Sequence, residues 1–348
     1  MRITLLDNIN QLLLRNPDLL KAKAPLFINL PIDDFFEEYH ALHPQAVMTC
    51  YNTNYQSHLQ AKRLDLTQMT AVFNVYYQSK TAHDLVIIQF PKSKAELTFM
   101  LAMIKDSIAN ECLVLVVGEN KSGIKSLAKL TEQQLGDCAK IDAARHCLLF
   151  ASNILATQES FILDNWLKPY SFMIKDTSVD VVALPGVFSQ NGLDIGTQVL
   201  LENLPKKITG ELLDFGCGAG VIASYLGKVF PEIKLHLLDV SALALYSAQA
   251  TLKLNNLTGH VFPSDSLSDV KGKYDYVISN PPFHQGLKTN YQATETFLSK
   301  IKPHLKPKGQ VTVVANSFLR YQPIMEEAIG RTQILAKQKG FSLYHCSI

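Results

Sequence analysis

Four consecutive residues, Asn280-Pro281-Pro282-Phe283, have the composition of a grip for a planar NH2 group. They follow Tyr274 to Ser279, an apolar run that reads as a buried strand. The Asn280 side-chain oxygen offers two acceptor sites. Two prolines fix φ and remove two N–H donors, so the turn presents carbonyls with little competition. Phe283 adds a flat apolar face. In this arrangement the Asn280 oxygen and the Pro281 carbonyl accept two amino hydrogens, and Phe283 stacks on the plane. The nitrogen lone pair is then turned toward an electrophile. Asn-Pro is also a common turn signal, so a plain β-turn is the competing reading.

The electrophile is suggested upstream. Residues 211–220 read ELLDFGCGAG, a strand end closed by Asp214 and followed by Gly216, Gly218 and Gly220. A helical pattern, Val221 to Val229, comes next. Strand, glycine turn and helix form the nucleotide-binding unit of doubly wound α/β sheets. The run lacks the G-x-G-x-x-G spacing that seats a pyrophosphate on a helix N-terminus. An acid ahead of the glycines suits a ligand with an ammonium group, such as S-adenosylmethionine, whose reactive methyl sits on a sulfonium. A second run, Ile233 to Leu238, ends at Asp239, where a carboxylate can accept from ribose hydroxyls. Asp265 is a third acid, placed to reach an adenine amino group. Taken singly, Asp239 could cap a helix starting near Ser241, and Asp265 could be a turn residue. Cys217, inside the loop, reads as a small apolar filler.

DFGCGAG, LDVSALAL and ISNPPFHQG resemble the ribosomal RNA small subunit methyltransferase C family. The resemblance extends to LPGVFSQNGLDIGTQVLL (184–201), VTVVANSFLRY (311–321) and VVGENKSG (116–123), and so touches most of the chain. It implies methyl transfer from S-adenosylmethionine to N2 of a guanine in 16S rRNA (guanine 1207 in that family). It further implies that Phe188, Asp194 and Thr197 lie against donor or substrate. Thr197 is assigned to the cofactor, and Phe188, Asp194, Pro282, Phe283 and His284 to the substrate. From the residues alone, Pro185-Gly186 and Asn191-Gly192 are turn signals around a short strand, either a flap or a plain hairpin. His284-Gln285 also fits the related large-subunit guanine-N2 enzymes. Protein glutamine N5-methyltransferases share the asparagine-proline-proline turn, as do enzymes acting on N6 of adenine. A ribosome assembly factor without catalysis is the alternative from another class.

The elements that must hold these residues occur twice in the order of the chain: LVIIQFP (85–91) parallels YVISNPP (276–282), and LVLVVGEN (113–120) parallels QVTVVAN (310–316). This predicts two tandem doubly wound, Rossmann-like methyltransferase-type α/β domains. In the first, LFINLPIDDF (26–35) stands where the second has LLDFGCGAG, and Gln89 stands for Asn280. Residues 1–165 are therefore expected to be a degenerate domain for RNA docking or stabilisation. Residues 166–180 are expected to be a linker, and 181–348 the catalytic domain. Lys121, Lys125 and Lys129 would line one face if their segment is helical, as phosphate contacts or as a solvated face. Lys300, Lys302, Lys306 and Lys308 suggest a basic loop before a strand at 310–315, near the catalytic strand ends.

Composition sets the bounds. A chain of 348 residues, 47% hydrophobic and 18% charged, is globular and long enough for two domains. A net charge of +2 means that an RNA partner must be met by a local basic patch. The first residues, MRITLLDNINQLLLRN, read as neither signal peptide nor membrane span. Six cysteines without C-x-x-C or metal spacing indicate reduced thiols and no metal cofactor. The expectation is a cytoplasmic monomer acting on 16S rRNA or the small ribosomal subunit, away from membranes.

Overall fold

The computed structural model describes residues 6–155, 160–281 and 288–348, with backbone alone for 288–293. The chain divides into two compact units, residues 1–166 and 167–348. Among the described residues no helix is long and apolar enough to cross a membrane.

The first unit contains β1 (Pro25–Ile28), β2 (Met48–Asn52), β3 (Met69–Phe73), β4 (His83–Gln89), β5 (Ile108–Glu119), β6 (Ala139–Ala144) and β7 (Cys147–Ser152). Its helices are α1 (Asn8–Leu14), α2 (Phe35–Leu42), α3 (Tyr55–Arg63), α4 (Lys94–Ile104) and α5 (Leu127–Leu130). The strands form one sheet in the order β3-β2-β1-β4-β5-β7-β6. All four residues of β1 are buried, as a central parallel strand covered by helices on both faces requires. Phe27 from β1 meets Phe35, Phe36 and Tyr39 from α2 edge-on, with ring centroids 5.1–5.9 Å apart.

The second unit opens with β8 (Lys168–Ile174) and β9 (Thr177–Ala183). Its sheet comprises β10 (Glu211–Phe215), β11 (Lys234–Asp239), β12 (Gly259–Pro263), β13 (Tyr274–Ser279), β14 (Leu305–Asn316), β15 (Thr332–Gln338) and β16 (Phe341–Ser347). The helices are α6 (Ile195–Glu202), α7 (Val221–Val229), α8 (Ala242–Leu254), α9 (Lys288–Lys300) and α10 (Tyr321–Ala328). Strand order is β12-β11-β10-β13-β14-β16-β15, the order of the first sheet strand for strand. The twofold α/β architecture is thus present in the backbone as well as in the sequence.

The two units differ after their first central strand. In the second, Gly216, Gly218 and Gly220 all have positive φ. In the first, the corresponding turn is tied up by its own side chains. Asn10 Nδ2 donates to Pro31 O and to Asp33 Oδ1, while Asp33 Oδ2 accepts from Asp7 N. Asn29 Oδ1 accepts from Thr53 N.

Three expectations are corrected here. The 166–180 segment is largely a β8–β9 hairpin rather than a linker. Its β9 edge is satisfied by α8: Leu184 N donates to Ser247 Oγ, Val182 N to Thr251 Oγ1, and Asp180 N to Asn255 Oδ1. Four helical residues rise about 6 Å and two strand residues about 6.7 Å, so helix positions 247, 251 and 255 keep step with alternate strand positions. Lys121, Lys125 and Lys129 do not share one helix face. Gly123, at φ 91°, separates two single 3-10 turns, and only Lys129 lies in α5. Finally, Lys306 and Lys308 belong to β14 itself, and Leu305 pairs with Tyr274 at the start of β13. That basic stretch lies at the amino edge of the sheet, opposite the strand end that carries Asn280, and Lys306 Nζ pairs with Asp275 at 2.7 Å.

Candidate active site

Parallel strands in one sheet deliver their carboxyl ends to one edge. The ends of β12, β11, β10 and β13, neighbours in that order, carry Asp265, Asp239, the glycine loop and Asn280 respectively. With about 4.8 Å between strands, this row spans about 14 Å, the scale of a nucleoside.

Asp214 is the next-to-last residue of β10, before Phe215, and is fully buried. Its Oδ2 accepts from Ala223 N in the first turn of α7 at 3.1 Å, and its Oδ1 is a buried acceptor with no partner. Burial, reinforced by the Asp239 carboxylate, pushes the Asp214 pKa up to about 7 against the pull of that N–H. One carboxylate oxygen thus holds the helix start, and the other is left without a partner among the described residues. Because its folded pKa is raised, the folded apo protein binds more protons than the unfolded chain. Its stability therefore falls as pH climbs from the ordinary carboxylate range to about 7. Asp214→Asn is expected to flatten this slope in melting curves between pH 5 and pH 8 (about three pH units), raising the apo melting temperature at the upper end.

A Cβ on Gly216 or Gly218 would meet nothing within 4 Å, whereas one on Gly220 would come to 3.1 Å from Ala248 Cα. The first two glycines keep space open above the loop, and the third lets α7 pack on α8. Asp239 steadies the loop: its Oδ2 accepts from Gly218 N at 3.0 Å, and its Oδ1 from Ser241 N at 2.9 Å. Ser241 caps α8 through its own hydroxyl. Asp239 thus helps form the helix start, and its two oxygens have more acceptor capacity than these two bonds use. Burial raises its pKa, and the N–H groups oppose the rise. Asp265 is half-buried in the turn after β12, whose Ser264 N bonds Asp239 O. Cys217 is buried with its thiol pKa raised by desolvation, which makes it an inert filler.

Asn280 follows β13. Its Nδ2 donates to Asp194 Oδ2 at 3.0 Å and to Thr197 Oγ1 at 2.8 Å. Both amide hydrogens are engaged, and among the described residues Oδ1 accepts no hydrogen bond. Pro281 is buried. Ser279 Oγ donates to Phe215 O, tying the Asn-Pro corner to the glycine loop's strand at 2.7 Å. Pro282, Phe283 and His284 lie outside the described residues.

Asp194 and Thr197 both hold Asn280. Asp194 is the N-cap of α6, and Thr197 is only 5% exposed. Between the two turn signals at 185–192 the backbone makes successive turns and no strand, so the segment is neither flap strand nor hairpin. Phe188 in this loop is 51% exposed, an apolar ring open to solvent. Ile195 and Phe318 are equally open, at the N-terminus of α6 and just beyond β14. Ile195 and Phe318 fall inside the resembling segments 184–201 and 311–321, but no chemical role singles them out there.

A doubly wound sheet with a glycine loop, acids on the adjoining strand ends and an Asn-Pro corner beside them defines a methyltransferase-type domain. Residues 178–345 match the methyltransferase small domain, and residues 10–170 match its N-terminal domain. Ribosomal RNA small subunit methyltransferase C of Colwellia psychrerythraea is 53% identical over 350 residues, covering 99% of this chain and 98% of that protein. The protein of that name from Pseudoalteromonas translucida is 40% identical over 98% of this chain and 99% of its own length. The chain belongs to the ribosomal RNA small subunit methyltransferase C family. The same fold is seen in the T. thermophilus 16S rRNA N2 methyltransferase in complex with AdoMet and guanosine. That structure has a TM-score of 0.80 at 20% identity, covering 99% of this chain and 93% of that one.

Proposed function

We propose that this protein methylates N2 of a guanine in 16S rRNA, using S-adenosylmethionine bound along the carboxyl edge of the second sheet. One observation carries the chemistry. With both Nδ2 hydrogens spent on Asp194 and Thr197, Asn280 can offer only its oxygen to a substrate. Its partner must be a hydrogen-bond donor, as an exocyclic amine is. The choice of guanine N2 in 16S rRNA follows the family's members.

The residues present fit the cofactor. Gly216 and Gly218 leave a cradle that side chains would fill, and Asp214 Oδ1 is a buried acceptor without a partner. Asp239 would hold the ribose and Asp265 the adenine amino group. When bound, S-adenosylmethionine supplies an electrophilic methyl group. The guanine amine is a weak nucleophile because its lone pair is delocalised into the ring. Asn280 Oδ1 and the Pro281 carbonyl accept its two hydrogens and favour a pyramidal nitrogen. As the nitrogen becomes positive, these fixed acceptors stabilise the charge. No general base is needed, because the methylated nitrogen is acidic and releases its proton afterwards. The base must leave its stack to reach this corner, and the open Phe188 ring provides a surface for it. The first unit, lacking an open glycine loop, serves RNA docking and stabilisation. The protein works as a cytoplasmic monomer without a membrane partner, and its free cysteines suit a reducing compartment.

The test is methyl transfer from labelled S-adenosylmethionine to free 16S rRNA, small subunits, 23S rRNA, large subunits and release factors. Incorporation should be confined to 16S rRNA or the small subunit, and mass spectrometry should place it on a guanine N2. Label on 23S rRNA, or on a glutamine amide, would replace the proposal with the corresponding enzyme. No label on any of them would leave a binding role.

A further inference from the structure

An asparagine amide is nearly symmetric in shape, so rotation by half a turn about its last bond exchanges oxygen and NH2. A site that needs the oxygen outward must forbid the other orientation. Two groups touch Asn280 Nδ2, and they differ in kind. The Thr197 hydroxyl can donate or accept, and it accepts here because its own proton turns toward Asp194 Oδ2 at 3.5 Å. The Asp194 carboxylate only accepts. A flipped amide would set Asn280 Oδ1 against Asp194 Oδ2 at the present 3.0 Å, two acceptors face to face. We propose that Asp194 is the positioning residue that locks the Asn280 amide with its oxygen toward the amine to be methylated. This rests on the methyl-transfer reading above.

Asp194 is itself fixed. As N-cap of α6, its Oδ2 accepts from Thr197 N at 2.9 Å, so the helix start sets the carboxylate's position. Gly196 leaves the room: a Cβ there would come to 3.0 Å from Asp194 Oδ2 and 2.9 Å from Phe341 Cε1. The bond has a second consequence. A carboxylate drawing on an amide N–H shifts electron density toward the amide oxygen, and hydrogen bonds in one chain polarise each other. Asn280 Oδ1 becomes a stronger acceptor, and the negative charge behind it favours a nitrogen turning positive.

The decisive variant is Asp194→Asn. Asparagine is as good an N-cap as aspartate, so α6 should persist. The oxygen that caps Thr197 N is the one that faces Asn280 Nδ2, so this variant keeps the contact and removes the negative charge that opposes a flipped amide and polarises Oδ1. Turnover is expected to fall about 10-fold, the difference between a charge-assisted and a neutral hydrogen bond. S-adenosylmethionine affinity and the melting temperature should be nearly unchanged. In an Asn280→Ala background the same substitution should have less than about a twofold effect, because the group being positioned is gone. Wild-type turnover in Asp194→Asn, or an equal drop in both backgrounds, overturns the proposal. Should Asp194→Asn melt early, Asp194→Ser keeps a capping hydroxyl without the carboxylate and is read in the same way. If Asn280→Ala itself turns over normally, Asn280 leaves the mechanism and the positioning role goes with it; if the wild-type protein transfers no methyl group to any RNA, it is the methyl-transfer reading that fails. If Asn280→Ala is impaired and Asp194→Asn is not, only the positioning role is lost.

Discussion

Replacing Asn280 with alanine is expected to lower methyl-transfer turnover by about 10²- to 10³-fold, the cost of removing one preorganised hydrogen-bonding group from an active site. The substituted protein should still bind S-adenosylmethionine with nearly unchanged affinity, because the glycine loop and Asp239 hang from other strands. Single-turnover rates with saturating RNA, set beside calorimetric titration with the cofactor, separate the two effects. The expectation is firm because, among the described residues, Asn280 Oδ1 accepts no hydrogen bond. Its Nδ2 is committed to Asp194 and Thr197, so truncation removes an outward acceptor and leaves those partners inside the protein. Normal turnover in this variant would take Asn280 out of the mechanism.

Asp239→Ala should act on the other ligand. Two ribose hydroxyls would lose a charged acceptor, and each such bond is worth about 1.5–3 kcal/mol. Affinity for S-adenosylmethionine is expected to drop by about 10²-fold or more. The variant also frees Gly218 N and Ser241 N, which Asp239 now satisfies, so a loss of melting temperature should accompany the loss of binding. Asp239→Asn keeps acceptor capacity through one oxygen and should fall between wild type and alanine on both measures. Equal cofactor affinity in wild type and Asp239→Ala would leave the residue with the structural part alone.

The local signals were legible for a physical reason in each case. The α7 helix spans Val221–Val229 as its pattern predicts, because it starts on a positive-φ glycine and carries a continuous apolar face. The strand before Asn280 covers Tyr274–Ser279, an apolar run too short for a helix and buried between β10 and β14. The internal duplication was visible because repeated strands need repeated apolar runs. The β8–β9 hairpin was missed because its stabilising partners are Ser247, Thr251 and Asn255, polar residues that look like an ordinary helix face until a strand edge is laid against them. The apolar centre of β14 predicts a strand at 310–315, whereas the strand runs from Leu305 and so carries the basic stretch to the amino edge.

Composition and spacing alone pointed to the class of chemistry: an Asn-Pro corner, a glycine loop, an acid on the next strand, and two copies of one fold of which one keeps the glycine loop. These are properties of short segments, written in which side chains can turn, accept or pack. What the side chains of Asp214, Asp194 and Thr197 do was decided by the tertiary structure. Asp214 sits under the loop as a buried acceptor, and Asp194 and Thr197 reach Asn280 across 86 and 83 positions of chain. A hydrogen bond depends on distance and direction in space, and residues so far apart in sequence acquire both only when α6 is packed against the end of the sheet.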